Sequence, residues 1–374
     1  MNNKSQTDVL TPRRRMRAAM SGNIPDRVPT MPQICFGHCV NILRDDYRKG
    51  IAEVVQNPFA QYDLMLEIAK RYKIDGLRLF LLPEPYKVVD DGQEMVVLDP
   101  KTNQRIGKAD VMGGGAVIFD EVKLVECEED VDNIPALKCD DLVETSEYIS
   151  LKKAIETAHQ DDFFTVSSPV GFTMNNVSDL RGRQRALLDL ILNPDLVRRI
   201  MDKSIEIAIE QAKAMLKCGA DGIYIGDPSS SASLISPAHF EEFCLPAYKL
   251  FCNEIHKIED ALIYLHICGN SKPILEMMAD SGVDCIEPLD PLGGVEVADA
   301  KKRVGHRVSL MGGVNTVTLI NGSPEDVYKE SVMCCRDGAA GGGYILAAGD
   351  MVPDFAPEEN VLAMIKAAKE YKYD

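Results

Sequence analysis

A histidine and a cysteine two positions apart, His266 and Cys268, are the residues of this chain best suited to bind a metal. They follow the apolar run Leu262–Leu265, which predicts a buried strand, and Gly269–Asn270 predicts a turn directly after them. Side chains at i and i+2 of an extended segment point the same way, so both can reach one ion. An imidazole nitrogen and a thiolate suit zinc. The alternative is an ordinary core pair, a buried cysteine and a hydrogen-bonded histidine.

Elements that would position such a pair recur along the whole chain. About eight apolar strands alternate with helical patterns, which predicts an α/β fold with a parallel sheet. Eight such units in 374 residues predict a (β/α)8 TIM barrel made of one domain, residues 1–374, with a doubly wound sheet as the runner-up. No Gly-x-Gly-x-x-Gly follows the first strand, predicted over 27–35, and this counts against dinucleotide binding.

Two segments depart from the regular alternation. Residues 11–21 predict a helix ahead of the first strand, an N-terminal helical extension. Short β-rich stretches separated by Asp-Asp-Gly and Gly-Gly-Gly turns predict a β-hairpin insertion at about 86–125.

The C-terminal ends of barrel strands converge on one mouth, where the sites of such enzymes form. Asp227 is interpreted first as a cap of the helix that follows it, and second as a pocket residue. No nucleophile elbow is present, so acyl transfer is not supported. The candidates at the mouth are Phe36, His38, Asp227 and Asn315 for substrate binding, Glu287 and Asp350 for catalysis.

Composition narrows the partners and the compartment. The formal net charge is −17 and the pI is about 4.9, so nucleic acid and anionic membrane surfaces are poor partners. No run of 18 apolar residues predicts a membrane span, and Met1–Gln6 lacks the apolar core of a signal peptide. Eleven cysteines without a regular framework predict reduced thiols in the cytoplasm.

Three stretches together resemble one family. His266–Asn270 resembles the His-x-Cys-Gly-Asn signature of the uroporphyrinogen decarboxylase-like superfamily, in its cobamide-dependent methyltransferase branch. Ser236–Pro237 resembles the start of that superfamily's helix before the metal strand, and Tyr344–Asp350 resembles its closing strand. The resemblance is clearest from about 220 to 374, and it implies the same barrel.

The resemblance also implies an activity and a ligand set. The true decarboxylases carry paired arginines after the first strand, whereas Met31–His38 contains none. The methyltransferase branch implies zinc held by His266, Cys268 and a distant cysteine, at whose place this chain has Asp350. Carboxylates also bind zinc, so the expected set is His266, Cys268 and Asp350, with Glu287 as an exchangeable fourth ligand.

The expected reaction is methyl transfer between a small methylated compound, of methoxy or methylamine type, and the cobalt of a separate corrinoid protein. Zinc would act as a Lewis acid on the substrate heteroatom. No Asp-x-His-x-x-Gly motif is present, so the cobamide is expected on a partner. The alternatives are a metal-free lyase of the decarboxylase type and a non-catalytic binding barrel. The oligomeric state stays open, with a homodimer as one candidate.

Overall fold

The structure is a computed structural model, and it describes residues 9–82, 85–112, 115–121, 124–169 and 171–373. Two separate sheets and a surrounding set of helices make up this part of the chain. The strands are β1 (Gly76–Arg78), β2 (Lys87–Asp90), β3 (Met95–Leu98), β4 (Arg105–Asp110), β5 (Ala116–Phe119), β6 (Phe164–Ser167), β7 (Gly222–Gly226), β8 (Leu262–His266), β9 (Cys285–Leu289), β10 (Ser309–Val314) and β11 (Tyr344–Ala348).

The helices before β6 are α1 (Pro12–Met20), α2 (Phe36–Leu43), α3 (Tyr47–Gln56), α4 (Pro58–Tyr72), α5 (Glu128–Asp132), α6 (Cys139–Leu142) and α7 (Ser146–Gln160). The later ones are α8 (Thr173–Arg181), α9 (Arg183–Leu192), α10 (Pro194–Lys217), α11 (Pro237–His239), α12 (Leu245–Ile255), α13 (Leu275–Asp280), α14 (Val297–Val304), α15 (Thr316–Asn321), α16 (Pro324–Gly338) and α17 (Glu358–Glu370). In the described parts of the chain, none of these helices is both long and apolar enough to cross a bilayer.

The larger sheet has seven strands in the order β1-β6-β7-β8-β9-β10-β11, and every neighbouring pair is parallel. This confirms the predicted α/β fold. Its strands are buried on both faces, which explains why they read as continuous apolar runs. Outward residues such as Ile263 and Leu265 pack against the helices, while Tyr224, Tyr264 and Ile345 belong to a second core on the other face.

The predicted first strand, 27–35, is not a regular strand in the structure. Only two isolated bridges form, Thr30 with Leu346 and Ile34 with Val352. Prolines at 29 and 32 carry no amide hydrogen, so a continuous ladder cannot form there. The segment still joins both edges of the sheet, because Leu346 N–H donates to the Pro29 carbonyl (2.9 Å) and Asp75 N–H to the Thr30 carbonyl (2.9 Å).

The predicted β-hairpin insertion is present but is larger than a hairpin. Strands β2, β3, β4 and β5 form a four-stranded antiparallel sheet in sequence order. Val88, Met95, Val97 and Ala109 on one face of it join the main core. Residues 113–114 and 122–123 of the predicted range lie outside the described residues.

Helix α1 confirms the predicted N-terminal extension and covers one end of the second core. Met16, Ala19 and Met20 are buried against that core. Arg15 is fully buried, and its guanidinium bonds to Asp26 (2.7 Å) and Asp75 (2.5 Å). Arg15 therefore forms its ion pairs inside the protein.

Candidate metal centre

His266, Cys268 and Asp350 come together at the carboxyl ends of the parallel strands. One ligand atom from each lies within 4.8 Å of the other two, and His266 Nε2 is 3.8 Å from Asp350 Oδ1. His266 is the last residue of β8, and Asp350 follows β11 three strands away. The sheet must curl strongly for these two ends to meet. The spacing of His266 and Cys268 thus brings both to one point, as the i, i+2 pattern predicts.

Glu287 holds the other nitrogen of the histidine ring. It lies opposite His266 in the β8–β9 register, and its Oε2 is 2.5 Å from His266 Nδ1. Burial alone would raise the pKa of Glu287, but His266 and Arg78 outweigh it and lower that pKa, so the carboxylate is ionised. A carboxylate on Nδ1 keeps the proton there and leaves Nε2 as the metal-binding atom.

The expectation that Glu287 is an exchangeable fourth ligand does not fit this geometry. One carboxylate oxygen is bound to His266 Nδ1, and the other is 3.4 Å from the Arg78 guanidinium. One oxygen is therefore bound to the ring nitrogen of His266 that does not face Asp350, and the other oxygen faces Arg78. We interpret Glu287 as a positioning residue for His266.

Arg78 is a buried charge that the sequence analysis did not single out. It lies on β1 with only 4% of its surface exposed, and its guanidinium carbon is 4.5 Å from the centre of the Tyr224 ring. A second ring, that of Tyr264, is 5.7 Å away. Glu287 and the two aromatic faces balance the charge. An arginine inside an apolar strand was the available signal, because such a residue is rarely buried without a partner.

The donor set fits zinc. Nitrogen, sulfur and carboxylate oxygen are its usual ligands, and two ligands of a tetrahedral zinc lie roughly 3.3–3.8 Å apart. Burial and the carboxylates of Asp350, Glu287 and Asp290 raise the pKa of the Cys268 thiol to about 12. Burial likewise raises the pKa of Asp350. This negative surrounding would attract a divalent cation, which in turn would favour the thiolate.

A cavity of about 870 Å³ opens beside Asp350. Its wall is built from the segments after β1, β10 and β11, from α2, and from the antiparallel sheet, which contributes Val117 and Phe119. Most of this wall is apolar. The site is thus a group of candidate metal ligands at the edge of an apolar chamber that is large enough for a small organic molecule.

Phe36 and His38 were predicted at a strand exit and instead lie on α2, because the extended segment ends at Cys35. Phe36 lines the cavity. His38 does not: it is fully buried, and its Nε2 lies 2.9 Å from the Tyr72 hydroxyl of α4. Burial lowers the pKa of His38, so the ring is neutral. It packs between two helices and is absent from the described cavity wall.

Asp227 and Asn315 are likewise engaged in local structure. Asp227 is fully buried and accepts hydrogen bonds from Ser230 (2.6 Å), Tyr248 (2.5 Å) and Asn175 N–H (2.7 Å). It therefore ties the loop after β7 to α8 and α12. Asn315 caps α15, accepting a bond from Val317 N–H at 2.8 Å. Neither residue lines the described cavity wall.

Comparison with known protein families identifies the family of this chain. The uroporphyrinogen decarboxylase (URO-D) model matches residues 125–371. The chain belongs to the uroporphyrinogen decarboxylase family. The match begins after the antiparallel sheet and includes His266, Cys268, Glu287 and Asp350.

Individual relatives point to the corrinoid-dependent branch of the family. The methylcobamide:CoM methyltransferase MtaA of Methanosarcina barkeri is 33% identical over 182 residues, 48% of this chain and 51% of the relative. The chain thus spans about half the length of the curated methyltransferases it matches. Uroporphyrinogen decarboxylase of Crocosphaera subtropica is 24% identical over 361 residues, 95% of each chain.

A solved structure agrees over nearly the whole length. A methyltransferase from Methanosarcina mazei superposes with a TM-score of 0.72 at 25% identity, covering 96% of this chain and 99% of the other. The similarity therefore extends to the N-terminal part that the family model does not match.

Proposed function

We propose that this protein is a zinc-dependent methyltransferase that moves a methyl group between a small methylated substrate and the cobalt of a separate corrinoid protein. The observation that carries the proposal is the group of His266, Cys268 and Asp350 at the edge of an apolar cavity. The methylcobamide-using relatives support the same class of reaction.

We also propose that the parallel sheet is a TIM barrel. The segment 28–34 bonds to β11 on one side and to the residue before β1 on the other, and so takes the place of the eighth strand. The second core, with residues from β6 to β11 and a cap from α1, is what the interior of a closed barrel requires. Closure would also explain how the ends of β8 and β11 meet.

The protein's own residues would prepare the site before the substrate arrives. Glu287 fixes the ring orientation of His266, while Cys268 and Asp350 supply the second and third donors. Zinc held there would act as a Lewis acid on the substrate heteroatom. The apolar wall excludes water and strengthens each charge interaction at the reacting atoms. In the demethylating direction the bond between the methyl carbon and the heteroatom would break, and the heteroatom would keep the electron pair and take up a proton. The methyl carbon would bond to cobalt through the electron pair of Co(I) on the partner protein.

A carboxylate among the ligands favours demethylation. Oxygen is a harder and less electron-donating ligand than a thiolate, so zinc bound by Asp350 would be the stronger Lewis acid. A stronger Lewis acid suits the polarisation of an ether or an amine more than the binding of a thiol. We therefore propose methoxy or methylamine-like compounds as methyl donors.

The metal-free decarboxylase alternative is less well supported. A porphyrinogen with several carboxylates needs cationic anchors, and the described cavity wall has neither lysine nor arginine. It carries Asp350 and Asp354 instead, which would repel such a substrate.

We also propose a cytoplasmic location. The eleven cysteines are all unpaired, which supports it.

Metal analysis tests the proposal directly. We expect about one zinc per chain, and we expect Cys268→Ala to lose it while keeping the fold. Cys335→Ala, a buried thiol on α16, is the control and should keep the metal. With cob(I)alamin as acceptor and a panel of methyl donors, the absorbance change on methylation should require Cys268. Full zinc content in Cys268→Ala would contradict the assignment.

A further inference from the structure

The chemical character of the cavity wall restricts what can bind there. Five rings, those of Phe36, Phe80, Tyr86, Phe119 and Phe355, line it together with aliphatic side chains. Among the described lining residues none is basic, and the two charged ones are Asp350 and Asp354. Asp350 belongs to the proposed metal centre, so Asp354 is the charged group left for the rest of a substrate.

Asp354 is held in place by two contacts. Its Oδ2 accepts a hydrogen bond from the Tyr47 hydroxyl at 3.0 Å. Its carboxylate also lies directly over Gly37 at the start of α2, where a Cβ atom would be 1.9 Å from Oδ2. A side chain at position 37 would require the carboxylate to move from this place. Asp354 is thus a hydrogen-bond acceptor on a mostly apolar wall.

The surroundings of the Asp354 carboxylate favour a substrate with a hydroxyl group over an anionic one. The carboxylate is partly buried, and burial raises its pKa. With one hydrogen bond from Tyr47, it has capacity for a further donor. An anionic substrate would meet the negative charge without compensation, whereas a hydroxyl group would supply the missing donor.

Size and chemistry then separate the two classes of donor. At about 870 Å³, the cavity lies in the upper part of the roughly 300–1,000 Å³ range of small-molecule pockets. A methylamine would leave most of it empty. When protonated at neutral pH, it also offers no lone pair to a Lewis acid. An ether keeps its lone pairs, and an aromatic ring would pack against the five rings of the wall.

We propose that the methyl donor is an uncharged aromatic methyl ether that bears a hydroxyl group, an inference that rests on the proposed function. Asp354 accepts the bond from this hydroxyl and excludes anionic analogues. It is therefore a specificity-determining residue, separate from the metal ligands. Tyr47 and Gly37 are its positioning residues.

Calorimetric binding to the full chain tests this with defined probes. We expect 2-methoxyphenol to bind about tenfold more tightly than 1,2-dimethoxybenzene, which lacks the hydroxyl. 2-Methoxybenzoate and tetramethylammonium should both bind more weakly than 2-methoxyphenol. A preference for either ion would overturn the proposal, as would equal affinity for the two uncharged ethers.

Variants assign the selectivity to one side chain. Asp354→Lys should reverse the order of 2-methoxyphenol and 2-methoxybenzoate, and Asp354→Asn should narrow the gap between them. Asp202→Lys makes the same charge change at an exposed position of α10 and should leave the order unchanged. If Asp354→Lys kept the wild-type order while its circular dichroism spectrum was unchanged, Asp354 would not be the selective group. The assay needs neither methyl transfer nor zinc, so its failure is distinguishable from failure of the proposed function.

Discussion

Three side chains, those of Glu287, Arg78 and Tyr224, connect the candidate metal centre to the interior of the sheet. His266 Nδ1 is hydrogen-bonded to one carboxylate oxygen of Glu287, and the other oxygen faces Arg78. The guanidinium of Arg78 lies over the ring of Tyr224. Glu287 pairs with His266 and with one guanidinium nitrogen of Arg78, whereas Arg78 Nε and Nη1 have no hydrogen-bond partner among the described residues. The cost of burying a charge is therefore shared along the chain of contacts, and removing one member affects both the metal site and stability.

Glu287→Gln should weaken both the metal site and the folded state, and the two losses can be measured separately. We expect zinc affinity to fall about 10- to 100-fold because His266 loses its charged partner. We also expect a loss of about 3 kcal/mol in the free energy of unfolding, since Arg78 is left as an unpaired buried charge. Chelator competition measures the first quantity and urea denaturation the second.

A second substitution is the control for that experiment. In Glu287→Gln with Arg78→Met, the unpaired charge is gone, so much of the stability should return while zinc affinity stays low. Recovery of both together would mean that Glu287 acts on the metal only through the fold.

Asp350 is the proposed zinc ligand at which the chain departs from the cysteine that the family resemblance implies. Asp350→Ala should lower zinc affinity and methyl transfer together, whereas Asp350→Cys should keep the metal. Asp354→Ala removes a neighbouring carboxylate that is outside the donor group and should keep the metal as well. Metal analysis on the three variants and a donor assay on the two Asp350 variants check this. Unchanged zinc affinity in Asp350→Ala would exclude Asp350 as a ligand.

Arg15 is one of the side chains that attach helix α1 to the rest of the molecule. Its guanidinium joins Asp26, which follows α1, to Asp75, which precedes β1. Burial would raise the pKa of Asp26, but hydrogen bonds from Arg15 and from Leu10 N–H outweigh it and hold that pKa well below the ordinary value. The ion pair therefore stabilises the folded state wherever an unfolded Asp26 would be ionised.

Asp26→Asn should destabilise the protein in a pH-dependent way. Because the folded-state pKa is depressed, the stabilisation is present above the unfolded value of 3.8 and is lost as pH falls below it. We expect a deficit of about 1–3 kcal/mol against wild type at pH 6, shrinking as the pH is lowered through 4. Denaturant titrations of both proteins at several pH values measure the difference. A deficit that is constant with pH would exclude the ionic contribution.

At the scale of the whole molecule, we expect the cobamide to be held by a separate partner. The described residues form the parallel sheet, its helices and the antiparallel sheet beside the cavity, and the given sequence lacks the Asp-x-His-x-x-Gly motif. We expect the isolated protein not to retain cobalamin stoichiometrically after gel filtration, as judged by its visible absorbance. Tight retention would contradict a separate corrinoid protein.

The local elements and the pair of donors could be predicted from the sequence. Strand β8 is an apolar run, and its end carries His266 and Cys268 at a spacing that places them on one side whatever surrounds them. The same reasoning found α1 and the β-rich insertion. It failed over 27–35, where prolines interrupt an otherwise strand-like pattern, and over α2, where Phe36 and His38 were expected on a strand exit.

Only the tertiary structure decided how distant residues meet. Asp350 reaches His266 because the sheet curls, and Glu287 reaches Nδ1 because β8 and β9 pair in one register. Arg78 finds its partners across the interior of the sheet, and Asp354 finds Tyr47 more than three hundred positions away. Local patterns determine which way neighbouring side chains point, since that depends on backbone geometry alone. Contacts between remote segments depend on strand order, register and curvature, which no local pattern contains.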